Sequence, residues 1–162
     1  MSRKAGGVLV AVGLVLAAVA VFLVLRPSPT TTEPWSADGA DPVAYAAELV
    51  VGTNAARADE DLPALTVSQC ATTEATVRAE GLTGGEELEH ASLTPVIEAC
   101  APASTAAENL ARAAASPHDV VDAWLDSPGH RANLLDPDLE QVGIGCLLDG
   151  DEMLCSQVFL GP

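Results

Sequence analysis

Val120 to Leu135 reads VVDAWLDSPGHRANLL, two short helices in series, each with its own start signal. The first opens at Ser116-Pro117-His118-Asp119. Ser116 supplies an N-cap, Pro117 takes the first helical position, where no N–H is needed, and Asp119 meets the positive helix end. Val120, Val121, Trp124 and Leu125 then share one face, the spacing of a helix laid on a core. The second opens at Ser127-Pro128, again cap then proline. A residue before proline resists the α conformation, so the first helix must stop there. Gly129, His130 and Arg131 fall in the new opening turn, and Leu134 and Leu135 point back to the core. A histidine held at a helix start beside a buried tryptophan is a positioned group rather than random surface, whereas His118, on a polar helix start, is expected to be exposed.

Downstream, Val142 to Leu148 and Met153 to Leu160 form a hairpin about Asp149-Gly150-Asp151-Glu152. If Cys146 faces Cys155, Leu148 opposes Met153 and Ile144 opposes Gln157. The turn is then the whole of 149 to 152, or a tight Gly150-Asp151 turn with one further pair. Both faces are apolar: Val142, Ile144 and Phe159 on one, Leu147, Leu154, Val158 and Leu160 on the other. Helices must therefore cover both sides, an α+β fold in which a small antiparallel sheet lies inside a three-layer α-β-α sandwich.

Upstream, the folded part starts at Asp41-Pro42 and runs as a helix to about Ala58, with Val43, Leu49 and Val50 toward the core. Asn54 and Arg57 lie three apart on one side, placed to hydrogen-bond into neighbouring loops. Thr66-Val67-Ser68-Gln69 reads as a capping box for a second helix that Gly81 closes, with Cys70 in its first turn. Gly84 to Ser104 is loop-rich, carries His90, and holds one short helix from Thr94-Pro95. The four cysteines, in an exported segment, imply two disulfides, and of three connectivities the neighbour pairing Cys70–Cys100 and Cys146–Cys155 is the one expected. The first would pin the loop bearing His90 against the second helix.

The export signal is at the start. Arg3 and Lys4 precede an uncharged apolar run from Ala5 to Leu25, long enough to span a bilayer and longer than the ~7–15 residues of a secretory core. Ala18-Val19-Ala20 has the form of a cleavage site, but Val21 to Leu25 continue the run. Residues 1–26 are therefore read as a signal anchor with its N-terminus cytoplasmic, or as a secretory signal if cleaved. Residues 27–40, rich in proline and threonine, read as a tether, with Trp35 either an interfacial anchor or packed on the domain. Residues 41–162 form one domain outside the membrane. Residues 27–162 carry all 23 acidic residues against four basic ones, Arg57, Arg78, Arg112 and Arg131. Such a surface repels nucleic acid and anionic headgroups and favours cations. No Gly-x-Ser-x-Gly elbow, His-Glu-x-x-His, phosphate loop or Cys-x-x-Cys occurs.

Seven segments occur in order: Asn54-x-x-Arg57, Glu89-His90-Ala91-Ser92, Ala107-Glu108-Asn109-Leu110-Ala111, Val121-Asp122-Ala123-Trp124, Ser127 to Leu135, Val142-Gly143-Ile144-Gly145 and Ser156-Gln157-Val158-Phe159. Together they resemble the bacterial branch of the CAP superfamily, the SCP domains of cysteine-rich secretory proteins, antigen 5 and plant pathogenesis-related proteins, over about residues 41 to 160. The resemblance implies a cleft on one side of the sheet that in eukaryotic members carries two histidines and two glutamates able to bind a divalent metal. His90 matches the first histidine and Glu108 the first glutamate. The second glutamate is replaced by Ser127 and the second histidine by Leu154. His130 is the remaining candidate for a third ligand, and Gln157 completes the expected cleft residues. Two protein ligands are few for zinc, which takes at least three. The favoured expectation is a non-catalytic, membrane-tethered module binding a lipid, a peptidoglycan fragment or an envelope protein. The alternatives are a divalent-cation-dependent hydrolase using His90 and Glu108, and a structural envelope protein.

Overall fold

The computed structural model describes residues 35–162. In chain order these form α1 (Pro42–Asp59), β1 (Thr66–Val67), α2 (Gln69–Gly81), α3 (Thr94–Ala99), β2 (Thr105–Ala113), α4 (Pro117–Asp126), α5 (Pro128–Leu134), β3 (Gln141–Asp149) and β4 (Glu152–Gly161). The strands make one sheet in the order β1-β3-β4-β2. The signal anchor and most of the tether lie outside the described residues. Among the described residues, no helix is long and apolar enough to cross a membrane.

Period-two burial on both faces of β3 and β4 determines the layers. Val142, Ile144, Met153, Cys155 and Phe159 pack with Tyr45 and Leu49 of α1, Val120, Val121 and Trp124 of α4 and Leu134 of α5. On the other face Val158 and Leu160 pack with Ala71 and Ala75 of α2 and Val96 of α3. Small residues let α2 approach the sheet backbone itself. A Cβ at Gly143 would lie 2.0 Å from the Thr72 nitrogen, and one at Gly145 would lie 2.3 Å from that of Thr76.

The hairpin has the expected register, with Cys146 opposite Cys155, Ile144 opposite Gln157 and one further pair, Asp149 with Glu152, outside a tight Gly150-Asp151 turn. Both expected disulfides form, Cys70–Cys100 and Cys146–Cys155. Capping follows the proline signals: Asp41 accepts from the Val43 N–H, and Ser116 and Asp119 make a reciprocal capping box. Trp35 stacks edge-on against Tyr45 with ring centroids 5.9 Å apart, so it packs on the domain.

Three expectations need correction, and one strand went unread. The sheet is mixed rather than antiparallel, because β1 runs parallel to β3 through Thr66–Gln141 and Val67–Val142. Thr66 and Val67 are thus strand residues, and the cap of α2 is Ser68, which accepts from the Ala71 N–H. Thr105–Ala113 is a strand that alanine-rich composition concealed; it pairs along β4 from Thr105–Gly161 to Ala113–Met153. Val43 is 78% exposed, since the buried stripe of α1 is Tyr45, Leu49, Thr53 and Arg57, four residues apart and half polar. An apolar-only period misplaces such a face.

Candidate functional site

Glu108 lies on β2, on the sheet face covered by α2, and it is buried. Its carboxylate has every position taken. Arg78 of α2 donates from Nε to Oε1 and from Nη2 to Oε2, a two-point contact of guanidinium on carboxylate. The Ser156 hydroxyl donates to Oε1 at 2.8 Å, and His90 Nδ1 meets Oε2 at 2.8 Å. Burial alone would push the carboxyl up, but the bonds from Arg78, then His90 and Ser156, outweigh it and hold Glu108 below the usual carboxylate range. The same pairing raises Arg78 above an ordinary arginine.

Because an ionised carboxylate only accepts, Nδ1 of His90 is the donor in this contact, and in the neutral ring Nε2 is then an acceptor. The His90 side chain is 53% exposed, so that nitrogen is open to a ligand. Arg78 also ties down the backbone around the histidine, donating to the carbonyls of Ala91 and Ser92 at 2.9 and 3.2 Å. Further along the loop, Arg112 donates to the carbonyls of Gly85 and Leu82 and pairs with Asp149, which accepts from the Gly84 N–H. The Cys70–Cys100 bridge holds the far end. A pocket of about 240 Å³ opens here, lined by Val77, Arg78, Leu82, Glu89, Ala91 and Glu108.

His130 is half-buried in the first turn of α5. Burial lowers its affinity for a proton, and its proximity to His90 adds to that effect. Its backbone carbonyl accepts from Asn109. Gln157, expected in the cleft, is instead fully buried on the opposite face of the sheet, where its amide donates to Thr53 and accepts from Asn109. Asn109 in turn accepts from Asn133, which also donates to the Glu108 carbonyl. Trp124 donates to the Leu110 carbonyl, so side chains of α4 and α5 close the outer edge of β2 that carries the site. Leu154 lies in the core, and Ser127 is a cap between α4 and α5.

Arg78 and Ser156 are the site residues that motif reading missed. The signal for Arg78 was scarcity: one of four arginines in a strongly acidic domain, on a helix whose inner face is Ala71, Ala75 and Ala79. The set does not fit a divalent metal. Among the described residues no three His, Cys, Asp or Glu side chains come together to hold one. A cation would also have to displace the Arg78 guanidinium from Glu108, the buried carboxylate of the site.

Residues 52–159 match the sequence profile of the CAP, cysteine-rich secretory protein, family. YkwD, an uncharacterized protein of Bacillus subtilis strain 168, is 28% identical over 142 residues, covering 84% of this chain and 52% of YkwD. The chain therefore spans about half the length of that relative. An extracellular SCP-domain protein from Bacillus anthracis superposes with TM-score 0.65 at 23% identity, covering 75% of this chain and 41% of that one. An outer surface protein from Borrelia burgdorferi does so with TM-score 0.67 at 20% identity, covering 75% of this chain and 96% of that one. Profile and fold agree: this chain belongs to the CAP (cysteine-rich secretory protein) family.

Proposed function

We propose that this protein is a non-catalytic extracytoplasmic binding module, tethered to the membrane by its apolar N-terminal segment, which presents the His90 face to a lipid, a peptidoglycan fragment or an envelope protein. The observation that carries the reading is the saturation of Glu108. A carboxylate already bound by Arg78, Ser156 and His90 has no lone pair directed at a cation and no proton to give near neutral pH. The exposed edge of His90 and the pocket beside Arg78 remain as a fixed polar surface with an apolar wall, suited to recognition. The extracellular and surface location named for the structural relatives fits a domain outside the membrane.

A second reading, a hydrolase, has one observation in its favour. A buried carboxylate on Nδ1 of an exposed histidine leaves Nε2 able to act as a base on water. Calorimetric titration of Zn²⁺, Mg²⁺ and Ca²⁺ into the metal-stripped protein, beside His90→Ala, separates the two. The module reading expects no binding that depends on His90, together with retention of envelope lipids or wall fragments that His90→Ala weakens. Micromolar metal binding lost in His90→Ala would overturn it in favour of a cation-dependent hydrolase.

A further inference from the structure

The sheet has a second edge, far from Glu108, that the chain leaves unfinished. β1 pairs with only the first two residues of β3, through Thr66–Gln141 and Val67–Val142, while β3 continues to Asp149. The Ser68 N–H donates to the Val142 carbonyl, so the backbone groups of Val142 point away from β4. Alternation along a strand turns those of Ile144 and Cys146 the same way. The Cα atoms of Cys146 and Cys155 are 4.2 Å apart, the close spacing of a pair that exchanges no backbone hydrogen bonds, which fits this assignment. Among the described residues nothing else bonds to the N–H or C=O of Ile144 or Cys146 on that side.

These groups face a groove of about 460 Å³ between α1 and α2, with Ile144, Gly145 and Cys146 as its floor. Val43 and Val50 form one wall and Thr72 and Thr76 the other, and Val67, continuing the line of β1, closes one end. No charged side chain lines it, although the chain carries 23 acidic residues. Val43 and Val67 stand on its rim, 78% and 61% exposed.

We propose that this groove is a strand-acceptor site, which takes an extended, uncharged polypeptide segment as a further strand on β3 beyond β1. The unpaired backbone decides the occupant. An alkyl chain would fill the apolar walls but bury the N–H and C=O of Ile144 and Cys146 without partners, whereas a peptide backbone supplies a donor and an acceptor at each rung. Pairing of the β3 edges of two copies is excluded sterically, because each lies recessed between its own helices. The occupant is therefore a projecting single strand, without acidic residues that the surrounding charge would repel and with small or β-branched side chains toward the valine and threonine walls. The groove and the Glu108 site lie at opposite edges of the sheet, so this assignment stands or falls independently of the one above.

The test uses the full-length chain in lipid nanodiscs and a short blocked peptide of alternating threonine and valine, read by hydrogen exchange of the amides between Gly143 and Leu148. The peptide is expected to slow that exchange by roughly tenfold or more. The same peptide N-methylated at alternate backbone amides is expected to do nothing. Val43→Glu, exposed enough to fold normally, should weaken the effect at least about tenfold, and Val51→Glu, exposed on the same helix outside the groove, should leave it unchanged. Absence of protection, equal protection by the N-methylated peptide or by dodecanoate, or indifference to Val43→Glu would each overturn the assignment.

Discussion

Arg78 on α2 and Glu108 on β2 meet through Nε and Nη2 of the guanidinium and both carboxylate oxygens, with side chains only 12% and 2% exposed. The contact joins the helical layer to the edge strand and, through the carbonyls of Ala91 and Ser92, fixes the loop that carries His90. A buried pair of this kind adds little over an apolar pair of the same shape, but losing one partner strands the other's charge. Arg78→Ala is therefore expected to destabilise the domain by about 3–5 kcal/mol in urea unfolding. Arg78→Lys, which keeps the charge and loses the fork, should fall between it and the native protein. His90→Ala, at an exposed ring, should cost less than about 1 kcal/mol. A loss below about 1 kcal/mol for Arg78→Ala would show that the pair does not hold the site together.

Glu108 also sets an acid limit. Its carboxyl is held below the usual range, so in the folded protein it stays ionised at a pH where the unfolded chain takes up a proton. The stability it contributes is complete above the unfolded carboxyl value of about 4.3 and is lost as pH falls through the lower folded value. Glu108→Gln has no such proton to bind. The gap in unfolding free energy between native protein and Glu108→Gln should be constant from neutral pH to about 5 and shrink below that, measured by urea unfolding across the acid range. A gap that does not change with pH would mean that Glu108 is not the titrating group.

What the sequence disclosed follows from how local each signal is. The cap-then-proline starts at Asp41 and Ser116, the cysteine pairing and the hairpin register are decided within a few residues, or by one symmetric constraint, and they are found as read. β2 was concealed because Ala106, Ala107, Ala111 and Ala113 carry neither β-branching nor alternation, and its place comes from pairing with β4. The site was half legible for a related reason. His90, Glu108 and Ser156 stand in motifs and Arg78 does not, but Arg78 and Ser156 reach Glu108 across 30 and 48 residues of sequence, and no periodicity encodes those contacts. Gln157 misled because its strand neighbours sit on the site's face while its own side chain, by period two, points to the other.

Among the described residues, Arg57 is the largest fully buried side chain, and no carboxylate there bonds to it. Its guanidinium donates to the carbonyls of Pro63, Leu134, Asp136 and Leu139, gathering the segments that lead into the neighbouring parallel strands β1 and β3. Burial lowers its proton affinity, partly offset by the charge of Asp136. Arg57→Ala would leave four carbonyls without donors, each worth about 1–3 kcal/mol, so the variant is expected not to fold at all. Arg57→Lys should not rescue it, because one ammonium cannot span the four acceptors. Near-native circular dichroism and melting temperature in Arg57→Lys would contradict this.

The two disulfides close loops of different length and so should differ in worth. Cys146 and Cys155 are 9 residues apart within a hairpin already paired by hydrogen bonds, whereas Cys70 and Cys100 are 30 apart and join α2 to the end of α3 across a loop with little core of its own. Loop-closure entropy gives about 2.5 kcal/mol for the first and about 3.5 for the second. Replacing both cysteines of each bridge by serine should therefore reproduce that order in urea unfolding. Loss of Cys70–Cys100 should in addition raise hydrogen exchange from Gly84 to Ser92, because the loop is then held only by Arg78 and Arg112. The hairpin variant should leave those amides unchanged. If instead the hairpin variant loosens the His90 loop, the loop depends on the sheet rather than on its own bridge, and the site is less separable from the core than its contacts imply.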